Sequence, residues 1–337
     1  MGFDPRGIGA SSPIHCLSDA EQDVLFASDP KPDNEAEYAQ ALIDTQSFID
    51  KCVAKTANLA HFSTADAARD MELLRQGLGD EKLNYMGFSY GTYLGTLYAQ
   101  QFPNNVGRFV LDGAIDPSIS IDQQSLIQAV AFDQALANFI ADCAQVKNCP
   151  LPPNATPAFF IELFIKVAAK PLTITNGEST RLITESLVVT GTAASLYDDA
   201  SGWPQLRTAI SQALQGDGSG FAKLADAYNG RKTDGTYSNN QNDANIIINC
   251  LDWQESRSND AIRAAVRNFV KAAPVFGPYV AYSSITCNLL NQAIGRTQIT
   301  TDQNTAQIRN TATPILIIGT TQDPATPYAW AKALLPI

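Results

Sequence analysis

The residues best suited to chemistry form the run Gly87-Phe88-Ser89-Tyr90-Gly91, in which a serine stands two positions from a glycine on either side. Residues 83–87 are typical of a short buried strand, and residues 90–101 are typical of a helix. A tight turn between a strand and a helix needs small residues around the serine and exposes its hydroxyl. The pattern therefore predicts that Ser89 is a nucleophile and that the Tyr90 N–H, at the start of the helix, stabilises an oxyanion.

A carboxylate that could complete such a site is Asp323, in the run Gly319-Thr320-Thr321-Gln322-Asp323-Pro324. It follows residues 313–319, the clearest strand in the sequence, whose centre is apolar and rich in isoleucine. An acid at the C-terminal end of a late parallel strand is where a catalytic triad holds the carboxylate that orients its histidine. The alternative is an aspartate that only forms the turn before Pro324.

The elements that must position these residues predict a parallel sheet flanked by helices. Residues 64–78 are predicted as a helix that ends near Gly79, and residues 106–111 as a second strand, so helices and strands alternate around Ser89. From about residue 117 to about residue 306 the pattern changes to helices separated by Pro- and Gly-rich turns. These predicted helices are residues 124–143, 158–169, 186–197, 203–215, 222–228 and 260–273.

The composition limits the class of protein. Of the 337 residues, 45% are hydrophobic and 17% charged, which is enough apolar material for one large domain or two smaller ones. The net charge of -11 repels phosphate backbones, so we expect no nucleic-acid partner. No run approaches the roughly 20 apolar residues of a membrane-spanning helix. With two histidines and no C-x-x-C motif, the sequence gives little support to a zinc site, and we expect no metal or cofactor.

The six cysteines favour disulfides and an oxidising compartment, because their number is even and the chain is acidic and rich in polar uncharged residues. The alternative is buried free thiols, which behave as small hydrophobic side chains. Pairing in chain order is one of the many arrangements that six cysteines allow. It would join Cys16 to Cys52, Cys143 to Cys149, and Cys250 to Cys287.

Several further motifs carry a resemblance to a known family. They are Gly2-Phe3-Asp4-Pro5-Arg6-Gly7-Ile8-Gly9, Pro13 with Cys16, Thr64, Asp70, Arg75, residues 87–95, Phe102-Pro103, Leu111-Asp112-Gly113, Asn249-Cys250-Leu251-Asp252-Trp253, and residues 313–327. Together they resemble the secreted serine peptidases of the tripeptidyl-aminopeptidase and proline-iminopeptidase group within the α/β-hydrolases. The last stretch is similar to the TAP-like C-terminal region of that group.

The resemblance implies an α/β-hydrolase fold in which Ser89 is the nucleophile, Asp323 the triad acid, and Tyr90 the donor of one oxyanion N–H. It also implies that members are exported and disulfide-bonded, so we expect a secreted or cell-envelope protein. The core is expected to consist of residues 1–117 and 307–337, and residues 118–306 to form a mostly helical cap over the active site.

Two parts of the family pattern are not found in this sequence. One is a histidine after Asp323, and the other is a set of strands with a Gly-rich loop before the Asp-Pro-Arg-Gly turn. The only histidines, His15 and His61, precede Ser89 and are expected to be ordinary surface or partly buried residues. We therefore expect a chain truncated at both ends, with the triad histidine beyond the present C-terminus and little peptidase activity from the chain alone.

An exopeptidase that accepts free N-termini needs a carboxylate to hold the substrate ammonium. Asp252, Glu255 and Asp199 are candidates, and Asp252 is favoured because its run resembles the family. The alternative is an ordinary acid on a helix surface. We thus expect a serine hydrolase that acts on peptides through an acyl-enzyme and releases N-terminal residues or tripeptides. An esterase or lipase acting on small esters, and an inactive homologue that binds peptides, are the alternatives.

Overall fold

A computed structural model of the protein describes residues 2–176, 179–253, 257–296, 311 and 313–335. In chain order the helices are α1 Asp19–Ala27, α2 Glu35–Lys55, α3 Thr64–Gly77, α4 Tyr90–Gln101, α5 Ile121–Cys143, α6 Ala158–Ala169, α7 Glu185–Ser195, α8 Gly202–Ala213, α9 Ser219–Asn229, α10 Gln241–Asp252, α11 Asn259–Ala272, α12 Gly277–Val280, α13 Ser284–Ala293 and α14 Tyr328–Ala333. The strands are β1 Leu83–Phe88, β2 Val106–Asp112, β3 Leu172–Asn176, β4 Ser179–Ile183 and β5 Ile315–Ile318.

The central sheet consists of three parallel strands in the order β1-β2-β5. Its register pairs Phe88 with Asp112 and Asp112 with Ile318, which are the last residues of the three strands. The loops that follow β1 and β5 therefore leave the sheet at the same edge. Because those loops carry Ser89 and Asp323, the observed strand order brings both candidate catalytic residues to one end of the sheet.

Helices α3 and α4 cover one face of this sheet. The Ser63 side chain accepts a hydrogen bond from the Asp66 N–H at 3.2 Å and so caps the start of α3, which ends at Gly77, close to the predicted Gly79. Side chains from both helices and from β2 form one buried apolar cluster that includes Met71, Tyr98 and Phe109. Burying a side chain of this size contributes about 1.5–3 kcal/mol, so the cluster fixes the two helices on the sheet.

The opposite face of the sheet is open over the described part of the chain. Met86, Phe88 and Leu316 point to this side and are 57%, 60% and 57% exposed. Their neighbours in the alternating pattern, such as Phe109 and Leu111, are buried against α3 and α4. Alternation along the strands thus separates a covered face from an apolar exposed one.

The region between β2 and β5 is mostly helical, as the sequence predicts, although some of its elements were not predicted. Each of the six predicted helices overlaps an observed one, but α10, α12 and α13 were not predicted, and neither was the antiparallel hairpin β3–β4. Helices α5 to α9 share a large apolar cluster that includes Phe139, Phe160 and Phe221. Among the helices described, none combines the length and apolarity that crossing a membrane would require.

Two helices that the sequence analysis did not predict, α1 and α2, precede α3.

The structure joins Cys16 to Cys52, Cys143 to Cys149, and Cys250 to Cys287, which is the pairing in chain order. The first and third disulfides lie in one apolar cluster formed by the N-terminal segment, α2, α10 and α13. This cluster places the end of α10 beside the start of α3.

The N-terminal Asp-Pro-Arg-Gly turn is held on α3 by a bidentate ion pair. Arg6 Nε and Nη2 donate to the two carboxylate oxygens of Asp70 at 2.6 and 2.5 Å, and Arg6 Nη1 donates to the carbonyl of His61 at 2.6 Å. Both charged side chains are only partly exposed, and the planar fork of arginine matches the carboxylate. These residues of the resemblance therefore have a structural role in this chain.

Candidate active site

The turn that carries Ser89 has the backbone geometry of a strained nucleophile turn. Ser89 lies at φ 49° and ψ -117°, a conformation that a residue with a side chain rarely adopts. A Cβ added at Gly87 would lie 2.4 Å from the carbonyl oxygen of Gly91 and 2.7 Å from the Tyr85 ring. Glycine at position 87 is therefore required for the strand and the helix to meet this closely, which is the physical content of the sequence motif.

Backbone hydrogen bonds fix the position of the turn. The Ser89 N–H donates to the Asp112 carbonyl of the neighbouring strand at 3.0 Å. The Ser89 carbonyl accepts from the N–H and the hydroxyl of Thr92 at 2.8 and 2.6 Å, and the same hydroxyl accepts from the Ile115 N–H at 2.9 Å. Ser89 itself is exposed, so its hydroxyl is available to a substrate at the edge of the sheet.

Asp323 lies in a loop that holds its carboxylate firmly. One oxygen, Oδ1, accepts from the N–H groups of Ala325 and Thr326 at 2.8 and 2.9 Å, and Oδ2 accepts from the Thr326 hydroxyl at 2.7 Å. Thr326 is buried, with 5% of its surface exposed. An aspartate that accepts from the second and third following residues forms an Asx-type turn, so the turn-forming role considered from sequence is present. It does not exclude a catalytic role, because a carboxylate can accept several hydrogen bonds.

The turn of Ser89 and the loop of Asp323 meet at Gly113, directly after β2. A Cβ added at Gly113 would lie 3.0 Å from the Thr326 hydroxyl and 3.7 Å from the Ser89 nitrogen. Gly113 also has φ 69°, a conformation that favours glycine, and its N–H donates to the Ile318 carbonyl at 3.0 Å. The structure thus brings the two residues singled out from sequence into one small region at the edge of the sheet.

Helix α5 contacts the same loop from the helical region. Gln128 Nε2 donates to the Ala325 carbonyl at 2.6 Å, and Asn138 Nδ2 donates to Gln322 Oε1 at 3.1 Å. Tyr197, which follows α7, also lies near this loop: burial raises its pKa, and the negative charge of Asp323 adds to the effect. The helical region therefore borders the candidate site.

Tyr90, the predicted oxyanion donor, begins α4, and its phenol contacts the start of α3. The Tyr90 and Thr64 hydroxyl oxygens are 2.5 Å apart. Asp252, at the end of α10, accepts from the Thr64 N–H at 2.7 Å and from the Thr64 hydroxyl at 2.5 Å. Burial raises the pKa of Asp252 to about 7. Desolvation likewise raises the pKa of the Tyr90 phenol, which must remain neutral.

The remaining sequence candidates are not brought to Ser89 by any described contact. Glu255 lies outside the described residues. His15 and His61 are both exposed, and in the described part of the chain neither imidazole is hydrogen-bonded to Ser89 or Asp323. Asp252 remains a predicted ammonium ligand, since its described contacts are to Thr64. No group of three or more His, Cys, Asp or Glu among the described residues could hold a metal ion.

Three residues of the site, Thr326, Thr64 and Tyr85, were given no role from sequence. Thr326 could have been found from the Asp-x-x-Thr spacing, since an aspartate often bonds to groups two and three residues later. Thr64 is separated from Asp252 by 188 residues, and no local pattern predicts that contact. Tyr85 was also missed as a support, although its phenol donates to the Gly91 carbonyl at 2.7 Å.

Known proteins similar to this chain include a serine protease, a carboxylesterase and a tripeptidyl aminopeptidase. Serine protease Hip1 of Mycobacterium tuberculosis (strain ATCC 25618 / H37Rv) is 34% identical over 341 residues, which cover 97% of this chain and 64% of that protein. Carboxylesterase B of the same strain is 34% identical over 345 residues, which cover 97% of this chain and 63% of that protein. Tripeptidyl aminopeptidase of Streptomyces lividans is 40% identical over 136 residues, which cover 40% of this chain and 25% of that protein.

The chain thus spans less than two thirds of the length of Hip1 and of carboxylesterase B. A family model described as the alpha/beta hydrolase fold matches residues 1–334, which is nearly the whole chain. The parallel sheet, the strained serine turn after β1 and the acid loop after β5 agree with that match. This chain belongs to the alpha/beta hydrolase fold family.

Proposed function

We propose that this chain carries the nucleophile and the triad acid of a serine exopeptidase that releases N-terminal residues or tripeptides from peptides. The observation that carries the proposal is the conformation of Ser89, whose positive φ between a strand and a helix exposes the hydroxyl at the sheet edge. Family membership and the relatives named as a serine protease and a tripeptidyl aminopeptidase support a serine hydrolase acting on peptides.

In the proposed mechanism Ser89 attacks the carbonyl carbon of the scissile bond. Its proton passes to a histidine base and then to the leaving amine, while an ester forms between Ser89 and the acyl group. The Tyr90 N–H, at the start of α4, stabilises the oxyanion of the tetrahedral intermediate. Water then hydrolyses the acyl-enzyme and regenerates the serine.

The acid of this triad is assigned to Asp323. Three hydrogen bonds from Ala325 and Thr326 hold its carboxylate in one orientation, which suits a group that must orient an imidazole and stabilise its positive charge. The base must be a histidine within reach of both Ser89 and Asp323, and neither His15 nor His61 has such a contact in the described part of the chain.

A fluorophosphonate probe tests the nucleophile, because it reacts with an activated serine and needs no knowledge of the substrate. In a protein that supplies the histidine base, we expect covalent labelling of Ser89 and none in Ser89→Ala, with Ser118→Ala as a matched control that keeps its label. The Ser118 hydroxyl donates a hydrogen bond to Asp116 in the loop after β2. Labelling that survives in Ser89→Ala would contradict the assignment. No labelling of the wild-type protein when the histidine base is present would favour an inactive homologue that binds peptides.

A substrate panel separates the exopeptidase from the esterase, which the carboxylesterase relative makes the second candidate. We expect tripeptide and amino-acid p-nitroanilides with a free N-terminus to be hydrolysed faster than N-acetylated ones. Hydrolysis of p-nitrophenyl esters without any preference for free N-termini would favour the esterase. If Asp252 holds the substrate ammonium, Asp252→Asn will raise KM for free N-termini and leave N-acetylated substrates unaffected.

We further propose that the protein is secreted or acts in the cell envelope. Three disulfides among six cysteines favour an oxidising compartment, where such bonds form and persist. Expression in an oxidising and in a reducing host compartment, followed by thiol counting, would test this. Equal yields of folded protein with six free thiols would contradict it.

A further inference from the structure

A short chain of hydrogen bonds connects the end of α10 to the residue that follows the nucleophile. It runs from the carboxylate of Asp252 to the hydroxyl of Thr64 at 2.5 Å, and from that hydroxyl to the phenol of Tyr90 at 2.5 Å. Thr64 is fully buried and is the first residue of α3. Its N–H also donates to Asp252, so the carboxylate fixes the threonine through both its backbone and its side chain.

A second contact from the same helix end reaches the same turn of α4. Trp253 follows Asp252 directly, and its ring stacks on Tyr93 with centroids 5.0 Å apart and planes 15° from parallel. The Trp253 ring N–H donates to the Ile119 carbonyl at 3.1 Å, which sets the orientation of the indole. Two consecutive residues of the helical region therefore hold Tyr90 and Tyr93, which are one helical turn apart.

We propose that Asp252 and Thr64 are positioning residues that, through the Tyr90 phenol, fix the first turn of α4 and so the direction of the Tyr90 N–H. The inference rests on the proposed function only for the use of that N–H as an oxyanion donor. Neither residue touches the substrate in this role. The predicted role of Asp252 as an ammonium ligand is separate, because it would change KM for substrates with free N-termini, whereas the positioning role concerns the first turn of α4.

The direction of the hydrogen bonds in this chain depends on the protonation of Asp252. When Asp252 is ionised, the Thr64 hydroxyl donates to it and must accept from the Tyr90 phenol, since a hydroxyl has one proton to donate. When Asp252 is protonated, it can donate to Thr64, and Thr64 can donate to Tyr90. The contacts between Asp252, Thr64 and Tyr90 persist whether Asp252 is ionised or protonated, so their geometry does not depend on its protonation.

The groups that face Asp252 decide where it titrates. Burial chiefly raises its pKa, the Thr64 hydrogen bonds and the charge of Arg296 lower it, the charge of Asp66 on α3 raises it, and the net value is about 7. Tyr90 and Tyr93 on α4 are neutral neighbours whose own pKa values are raised by burial and by the charge of Asp252. The direction of the hydrogen bonds between Asp252, Thr64 and Tyr90 therefore changes near neutral pH.

Amide hydrogen exchange of residues 89–95 in the intact chain tests the proposal without relying on activity. Thr64→Val removes the hydroxyl and keeps the shape, whereas Thr64→Ser restores the hydroxyl. We expect exchange in this segment to be about 5- to 10-fold faster in Thr64→Val, the change expected for one lost hydrogen bond, and within about twofold of wild type in Thr64→Ser. Equal exchange in the two variants would overturn the proposal.

Tyr90→Phe provides a second test in case Thr64→Val does not fold, because it breaks the same chain and leaves Thr64 and Asp252 in place. It should increase exchange of residues 89–95 to a similar extent, and unchanged exchange would contradict the proposal.

Asp252→Asn provides a third test, because asparagine can bond to both Thr64 atoms but cannot titrate. Because the contacts do not depend on the protonation of Asp252, exchange of residues 89–95 in this variant should stay within about twofold of wild type at both pH 5 and pH 8, after correction for the intrinsic rate. An increase as large as that expected for Thr64→Val would count against the proposal.

The fluorophosphonate labelling rate, measured in the same variants, separates this inference from the proposed function. Slower labelling of Ser89 in Thr64→Val with recovery in Thr64→Ser would support both. Exchange that follows the hydroxyl, in a wild-type protein that has the histidine base but is not labelled, would support the positioning role and contradict the proposed function. Normal labelling together with unchanged exchange would contradict the positioning role alone.

Discussion

Replacing Asp252 by asparagine should change how the stability of the protein depends on pH. In the folded state the Asp252 pKa is raised from 3.8 to about 7, chiefly by burial. In the unfolded chain an aspartate titrates near pH 4, as a rough average. An acid with a raised folded pKa stabilises the fold through its protonated form, so that contribution is complete below about pH 4 and is lost as pH rises through about 7.

The size of this effect follows from the raised pKa. The difference between 3.8 and about 7 corresponds to at most about 4 kcal/mol in the free energy of unfolding, which the wild type loses between these pH values. Asparagine has nearly the same shape, and its amide can accept from the Thr64 N–H and donate to the Thr64 hydroxyl. We therefore expect wild type and Asp252→Asn to be similarly stable at pH 4, and the variant to be the more stable by up to about 4 kcal/mol at pH 8.

Urea unfolding followed by circular dichroism, with the disulfides intact, measures both free energies from pH 4 to pH 8. Asp66→Asn is a matched control on α3. Burial opposes ionisation of Asp66, but hydrogen bonds from Ser63 and Arg69 lower its pKa overall, so its contribution to wild type is complete above about pH 4. Asp66→Asn should therefore be less stable than wild type by a constant amount from pH 4 to pH 8. Parallel curves for wild type and Asp252→Asn would refute the assignment of a raised pKa to Asp252.

Three further outcomes follow from single contacts. Glu72→Gln should destabilise the protein by about 2 kcal/mol at pH 7 in urea unfolding, because it breaks a buried ion pair with Arg75. The difference in stability between Glu72→Gln and wild type should shrink as pH falls toward 2. Arg75 lowers the Glu72 pKa to about 2, so wild type loses the stabilising charge of Glu72 in that range. Gly87→Ala should prevent formation of the serine turn, with a loss of about 3 kcal/mol or more in thermal unfolding, because its Cβ would lie 2.4 Å from a carbonyl oxygen of the helix's first turn. Thr326→Val should slow fluorophosphonate labelling while Thr326→Ser retains it, because position 326 needs a side-chain hydroxyl to donate to Asp323 Oδ2; equal rates in both variants would exclude a role for that bond.

Local patterns were enough to predict the elements that carry the site. The glycines around Ser89 indicated the turn because backbone crowding at that point leaves no room for a Cβ, a constraint that shows in sequence. The isoleucine-rich run before Asp323 indicated β5 because a central parallel strand is apolar throughout. The sequence therefore located both loops, and the rules for parallel sheets placed them at one edge.

Long-range contacts and weakly patterned elements were not predictable in the same way. Thr64 meets Asp252 only because the cluster around the two buried disulfides brings α10 to α3, and nothing near either residue signals the contact. Helix α2 has a polar sequence with only four buried residues, so its apolar stripe is a weak signal. The hairpin β3–β4 is short and lies in a region dominated by helical patterns.

Two of the three disulfides are shielded by the same apolar cluster. Cys16, Cys52, Cys250 and Cys287 are 0–3% exposed, whereas Cys149 is only partly buried in the small loop it closes with Cys143. A reductant should therefore open the Cys143–Cys149 bond first and reach the other two only when the cluster itself unfolds. Because α10 ends at Asp252, beside the serine turn, the site would survive mild reduction and then fail abruptly, together with the packing of the N-terminal segment and α2 on α10 and α13.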